Sequence, residues 1–366
     1  MRAMNGSVEI SQVREALRGV KDPGLGRDII SLGMVDDIEV EEGVVRFTLA
    51  LTTLACPLKD EILKNAKEAV LALEGARQVE VNLREMKSEE KKRIWPSDDR
   101  EELRKEVARL NRVERTLAVM SGKGGVGKSS VAAMLAVELR RAGKRVGVLD
   151  ADITGPSIPK MFGLHEPPPV GPLGMLPAVT ESGIRVISIN LLLPNEDEAV
   201  IWRGPLISGA IQQFWGEVVW GELDALVVDL PPGTSDAALT VMQSIPLNGV
   251  LLVTSPQDLA GMVVRKAARM AAQLKVPLVG LVENMSYLTC PQCGERIEVF
   301  GPSRAMETAD RLGLSLLAQL PLDPDLARRC DAGQVEEYEN EVFQSLAARV
   351  MERASAVKST PIFAKG

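Results

Sequence analysis

Gly122-Lys123-Gly124-Gly125-Val126-Gly127-Lys128-Ser129 is the stretch that decides the fold. It follows an apolar run, Thr116 to Met120, and opens a segment of helical spacing, which together give the strand, glycine turn and helix that a P-loop requires. Glycines let the backbone wrap so that successive N–H groups point inward at phosphate oxygens. Lys128 then neutralises the β/γ charge, and the Ser129 hydroxyl can hold Mg2+. Gly122 to Ser129, with Ser130 beside it, is the candidate nucleotide-binding segment.

Outward from this loop, short apolar runs alternate with helical stretches. The runs are Thr116 to Met120, Arg145 to Leu149, Ile184 to Ile189, Ala225 to Leu230, Gly249 to Thr254, Leu278 to Val282 and Ser315 to Gln319. This alternation predicts an α/β fold with a doubly wound, mostly parallel sheet. Asp229, ending Val227-Val228-Asp229, reads as the aspartate that holds Mg2+ from the far side of the phosphates. The turn-forming segment Pro231-Pro232-Gly233-Thr234-Ser235-Asp236 follows it and reads as a switch loop that senses the γ-phosphate. Asp150 and Asp152 stand just past the second run, at the carboxyl edge where ligands of such sheets bind. An exposed aspartate pair in a turn is the alternative reading.

The chain has 366 residues, 45% apolar and 25% charged, which excludes wholesale disorder, and its length favours two domains. With 43 basic and 50 acidic residues the net charge is −7, which argues against a coat for nucleic acid or anionic membrane. The 3% aromatic content argues against base-stacking platforms, so neither a nucleic acid nor a membrane is an expected partner. Charge concentrates between Lys87 and Arg115, where 18 of 29 residues are charged. Residues 86–114 therefore read as a solvated linker, with a helix from Asp98 to Arg115 striped by Leu103, Val107 and Leu110. Residues 1–85 read as a small α+β domain in α-β-β-α-β order. Its parts are a helix over residues 8–19, a hairpin of Asp36 to Val40 and Val44 to Leu51, a helix from Lys59 to Leu73 and a strand from Val79 to Leu83. The nucleotide-binding domain occupies residues 115–350, and residues 351–366 form a tail that frays from Ser359.

Four cysteines, at 56, 290, 293 and 330, are too few for a disulfide scaffold in a chain this long. No apolar stretch near Met1 follows a basic start, so a reducing cytoplasm is the expected compartment. Cys56 follows Thr52 and Thr53 at a strand-to-helix junction, where a helix N-terminus lowers a thiol pKa. Cys290-Pro291-Gln292-Cys293-Gly294 has the spacing of a metal knuckle, in which both thiolates converge on one ion. A zinc or 4Fe-4S site needs about four thiolates. No second such pair exists in the sequence, and two copies sharing one site across a dimer axis supply the count most simply. A redox dithiol and an inert pair stay open, and spacing does not separate zinc from iron-sulfur, because both use thiolates. Cys330 and His165 read as structural.

Lys123, a second lysine inside the P-loop, is the deviant feature of the MinD, ParA and nitrogenase iron-protein superclass. Together with Asp150 to Ser157, Pro231 to Asp236, Glu283-Asn284-Met285-Ser286 and the Cys290/Cys293 pair, it resembles the Mrp/ApbC branch over roughly residues 115 to 345. Residues 8 to 85 resemble the small SufT-like metal-sulfur cluster biosynthesis domain often fused in front of that ATPase. Asp22-Pro23, Asp28 to Leu32 and Thr52 to Pro57 carry that likeness. The resemblance implies a SIMIBI-type P-loop ATPase acting as a homodimer with ATP and Mg2+. It implies that Lys123 reaches the partner subunit's nucleotide, that Asp152 orients the attacking water, and that Asn284 contacts adenine. It further implies that Cys290 and Cys293 bind a labile 4Fe-4S cluster bridging two protomers, with Cys56 a metal-associated thiol. The function so implied is slow ATP hydrolysis coupled to carrying a cluster to apo iron-sulfur proteins. A MinD- or ParA-like positioning ATPase is one alternative, although the chain end offers only Arg349, Arg353, Lys358 and Lys365, loosely spaced. A P-loop ATPase with a structural zinc clip is the other. Phe300-Gly301-Pro302-Ser303-Arg304 stands where many relatives carry a glycine triplet.

Overall fold

The computed structural model describes residues 8–22, 27–51, 59–87, 90, 97–171, 174–193 and 204–356, so Cys56 and the Thr52 to Pro57 segment lie outside the described residues. Contacts divide the chain into two compact units, Met1–Glu102 and Leu103–Gly366.

In the first unit, the helix Ile10–Arg18 starts with a reciprocal cap between Glu9 and Gln12 and buries Val13 and Leu17, one turn apart. Strands β1 (Val35–Glu41) and β2 (Val44–Leu51) form an antiparallel hairpin. Its two turn residues, Glu42 and Gly43, both take positive φ (48° and 85°), the turn whose twist matches the flanking strands. The helix Lys59–Leu71 then crosses over to β3 (Gln78–Glu85), which pairs with β2 in parallel along its whole length. The expected α-β-β-α-β order is present, with Leu17, Phe47, Leu49, Ile62 and Val70 in its core.

In the second unit all seven expected strands form: β4 (Thr116–Ser121), β5 (Val146–Asp150), β6 (Arg185–Ser188), β7 (Ala225–Asp229), β8 (Gly249–Thr254), β9 (Leu278–Thr289) and, beyond a short β10 (Arg296–Ile297), β11 (Leu316–Pro321). Across the sheet the order is β11-β9-β8-β4-β7-β5-β6, every pair parallel. Ala178–Val179 is added antiparallel outside β6, and β10 pairs antiparallel with the far end of β9. The central strand shows why these runs lack alternation: Leu117 and Val119 enter one core, Ala118 and Met120 the other. The first core contains the helices Lys128–Arg141 and Glu341–Ala356; the second contains Gly204–Gly216, Asp236–Ser244 and Asp258–Gln273. The sheet is thus doubly wound, as its sequence pattern predicts.

Two boundaries differ from the expectation. The helix placed over Asp98 to Arg115 spans Ser97–Leu110, and Arg112–Val113 continue as a short strand parallel to Glu222–Leu223. Asn111 causes the break: its amide donates to the Val218 carbonyl (2.9 Å), and its side-chain oxygen accepts from the Gly221 N–H (3.0 Å). Leu110, expected in the apolar stripe, is exposed, whereas Val107 is buried. Strand β9 runs seven residues past the Val282 expected as its end, through a bulge in its pairing with β11 between Glu283 and Tyr287. Met285 takes φ +56° there.

Candidate functional site

The loop between β4 and the helix Lys128–Arg141 is shaped by glycine. Gly125 and Gly127 take φ of 78° and 74°. A Cβ on Gly127 would lie 2.2 Å from the Asn284 amide nitrogen, and one on Gly122 would lie 2.6 Å from the backbone of Val263 and Val264. A cavity of about 240 Å³ covers the loop, lined by Lys123, Gly124, Gly125, Gly127, Lys128, Ser129, Ser130 and Asp152 among others. Val126, also in the loop, is buried in the first core. Inside the cavity, buried Lys128 donates from Nζ to Asp229 Oδ1 (2.6 Å) and to Ser129 Oγ (3.1 Å), and Ser129 Oγ donates to Asp229 Oδ2 (2.6 Å). The two groups expected to hold Mg2+ therefore already touch.

Asp150 and Asp229 face each other across the register of β5 and β7, and both are fully buried. Asp150 accepts from the N–H groups of Asp152 (3.2 Å) and Ile158 (3.3 Å) and from Ser188 Oγ (3.1 Å), which fastens the turn that carries Asp152. Burial, and then the neighbouring Asp229 charge, pushes the Asp150 carboxyl up to about 8. Burial also raises Asp152, which is 8% exposed, and Lys128 opposes that rise. The exposed-pair reading of these two aspartates is thereby excluded.

A carboxyl raised in the folded state binds its proton more tightly there than in the unfolded chain. Its stabilising contribution is complete below the unfolded value near 4 and is lost as pH rises toward about 8. The nucleotide-free protein should therefore lose thermal stability across that window, and Asp150→Asn should flatten the slope. Melting curves from pH 5 to 8.5 check this; an unchanged slope in the variant would assign the dependence to other groups.

Lys123 turns away from this cluster. Its Nζ donates to the side-chain oxygen of Gln257, the residue immediately before the helix Asp258–Gln273. Asn284, buried, donates from its amide to the Val126 carbonyl (2.9 Å), so in this structure its side chain supports the P-loop backbone. Ser130 bonds to the thiol of Cys330, which is buried and whose pKa burial raises, in keeping with a structural role for that cysteine.

Cys290 follows the last residue of β9. The Cys290 N–H donates to the Glu295 carbonyl (2.8 Å), and the Gly294 N–H, with Gly294 at φ +75°, donates back to the Cys290 carbonyl (2.9 Å), closing a tight turn. Cys290 is half-buried and Cys293 exposed. The backbone N–H groups of Cys293 and then Gln292 bond to the Cys290 sulfur, and with the Cys293 thiol they hold its pKa below that of an ordinary thiol. The tight turn and the N–H groups on the sulfur have the form of a metal knuckle. Among the described residues no group of three or more His, Cys, Asp or Glu side chains is placed to hold a metal ion. Among the described residues no helix is long and apolar enough to cross a membrane.

The sequence reading missed Gln257, Ser188 and the support that Asn284 gives to the loop. Gln257 had one legible signal, its place just beyond the carboxyl end of a parallel strand. Ser188 acts through a neighbouring strand, which no local pattern reveals.

Comparison with known proteins matches both halves of the chain. A family model described as NUBPL iron-transfer P-loop NTPase matches residues 112–355, and one described as iron-sulfur cluster assembly protein matches residues 10–83. An iron-sulfur cluster carrier protein of Synechocystis sp. is 39% identical over 328 residues, which covers 88% of this chain and 89% of that protein. Another carrier, from Methanocaldococcus jannaschii, is 44% identical over 255 residues, 68% of this chain and 88% of that protein. The solved structure of a nucleotide-binding protein from Archaeoglobus fulgidus in complex with ADP is 48% identical; it covers 66% of this chain and 95% of its own, with a TM-score of 0.59. With more than half of its length under one family model and a P-loop whose lysine, serine and aspartate converge, the chain belongs to the NUBPL iron-transfer P-loop NTPase family.

Proposed function

We propose that this protein is an ATP-hydrolysing iron-sulfur cluster carrier. It binds Mg-ATP at the P-loop and holds one labile 4Fe-4S cluster between Cys290 and Cys293 of two copies. It then passes the cluster to apo iron-sulfur proteins in a reducing, cytoplasmic compartment. The observation that carries this reading is strand β9, which joins the two sites: Asn284 holds the P-loop at Val126, and six residues later the same strand delivers Cys290. The names of its relatives point the same way.

The chemistry follows from charge and position. Asp150, Asp152 and Asp229 place three carboxyls beside one lysine, an acidic cluster suited to a divalent cation. Ser129 and Asp229 would hold that Mg2+, which neutralises developing phosphate charge, while Lys128 moves from Asp229 to the β/γ oxygens. Asp152 is a weak base suited to orient water rather than to deprotonate it, so hydrolysis is slow. Asn284 would also meet the adenine. A movement of the loop on binding or hydrolysis reaches the knuckle through β9 and biases a dimer with two arrangements of different cluster affinity.

Asp152→Ala should keep Mg-ATP binding within a few-fold and lose hydrolysis, as measured by nucleotide titration and phosphate release. Wild-type turnover in that variant would remove Asp152 from the mechanism. Lys123 acts toward a neighbour: its own loop already has Lys128, and its ammonium rests on Gln257 away from Asp229. Inactive Lys123→Ala and inactive Lys128→Ala proteins, once mixed, should recover part of the ATPase activity through mixed dimers. A mixture that stays dead would place Lys123 in its own subunit's site.

A further inference from the structure

A second cavity, about 240 Å³, opens where the loop after β8 meets Glu283 of β9 and the helices Asp258–Gln273 and Ala305–Leu312. Its lining is rich in charge, with the guanidiniums of Arg265, Arg304 and Arg311 and the carboxyls of Glu283 and Glu307. Both carboxyls are already supplied with donors. Glu307 accepts from Arg311, one helical turn on, and the buried Glu283 accepts from Ser286 Oγ (2.8 Å) and Gln319 Nε2 (3.1 Å). Among the described residues Arg265, half-buried, meets no carboxylate, and the hydroxyl of Ser255, a residue only 6% exposed, has no hydrogen-bond partner. A cation and a buried hydroxyl thus open on one cavity with donors to offer an acceptor from outside the chain. Two helix starts reinforce them. Gln257 and Arg304 immediately precede the first turns of the two helices, both line the cavity, and neither side chain caps its own helix. The backbone N–H groups of such first turns favour an anion. Arg304 also ends the Phe300 to Arg304 segment that stands where many relatives carry a glycine triplet, so the resemblance does not supply this arginine.

We propose that this cavity binds a small oxyanion, a phosphate- or carboxylate-bearing molecule, held by Arg265, Arg304 and the Ser255 hydroxyl. Charge selects the class: a guanidinium is a planar fork of donors that matches two oxygens of a phosphate or a carboxylate, and a serine hydroxyl can donate to a further oxygen. The proposal does not rest on the carrier reading, because neither the knuckle nor any P-loop residue lines the cavity. It does border the nucleotide site. The side-chain oxygen of Gln257, a lining residue, accepts from Lys123. A bound anion therefore ties the loop that holds Lys123 to the start of the first helix beyond the cysteine pair.

Calorimetric titration of the full-length protein with sodium phosphate and, separately, with sodium succinate tests this. The protein is first saturated with Mg-ADP so that the P-loop is filled, and chloride holds the ionic strength constant. Wild type should bind one or both anions at one site per chain with a Kd of about 1 mM or tighter. Arg265→Gln and Arg304→Gly should each weaken that binding at least about tenfold, the loss expected when a charge-assisted hydrogen bond is removed. Mg-ADP affinity should persist in both, which shows that the fold is intact. Arg304→Lys should recover part of the binding, since it keeps the charge and loses only the fork. Uptake of phosphate alone assigns the site to a phosphate-bearing ligand, and uptake of succinate alone to a carboxylate-bearing one. A wild type that binds neither anion up to about 10 mM overturns the site. So does either variant, Arg265→Gln or Arg304→Gly, if it binds as tightly as wild type.

Discussion

Lys128→Ala should abolish ATPase activity and weaken Mg-ATP binding at least about 100-fold, the scale of truncating one partner of a buried charge pair. The lysine is 6% exposed and bonds to Asp229, which is fully buried beside Asp150. Its removal takes away the phosphate contact and also leaves two facing carboxyls with no cation between them. Breaking a buried pair in this way costs about 3–5 kcal/mol, unless a proton is taken up instead. The variant should therefore melt lower than wild type at pH 8 and recover most of the difference near pH 5, where Asp150 holds its proton. Melting curves and nucleotide titration at both pH values separate the two effects. A variant that binds Mg-ATP within a few-fold of wild type at pH 7.5 would remove Lys128 from the phosphate site.

Cys290→Ser and Cys293→Ser should each reduce reconstituted iron and sulfide to less than about a tenth of wild type, since a cluster lacking two of its four thiolates per dimer is not held. Stability should be nearly untouched. Cys293 is exposed and Cys290 half-buried, and neither enters a core, so the change in unfolding free energy should stay within about 0.5 kcal/mol. ATP binding should persist because the P-loop is a separate segment of the chain. Metal analysis beside a nucleotide titration reads both outcomes, and a serine variant with a full complement of iron would place the cluster elsewhere.

The parallel sheet was legible in the sequence because its inner strands β4, β5, β7 and β8 are buried on both faces and so appear as continuous apolar runs. The P-loop was legible because its glycines answer to local constraints, at Gly125 and Gly127 a positive φ and at Gly122 a backbone pressed against Val263. The convergence of Lys128 and Ser129 on Asp229 spans a hundred residues and followed only from the topology that places β7 beside β4. The helix end at Leu110 was misjudged because Asn111 spends its side chain on Val218 and Gly221, contacts no helical stripe announces. The extension of β9 was missed for a related reason. Glu283 is buried and accepts from Ser286 and Gln319, so a polar stretch that reads as a loop is instead strand held by internal hydrogen bonds. That extension carries Asn284 and sets Cys290 directly after the end of the same element.

The measurement that bears most directly on the carrier reading is the metal content of full-length wild-type protein after anaerobic reconstitution with ferrous iron, zinc and sulfide all present. Cys290 and Cys293 of each chain predict about two iron atoms and about two sulfides per chain, about four of each per dimer, with the absorption of a 4Fe-4S cluster that bleaches in air. Uptake of zinc alone, at about one ion per two chains and with no sulfide, would contradict the account and make the knuckle a structural clip.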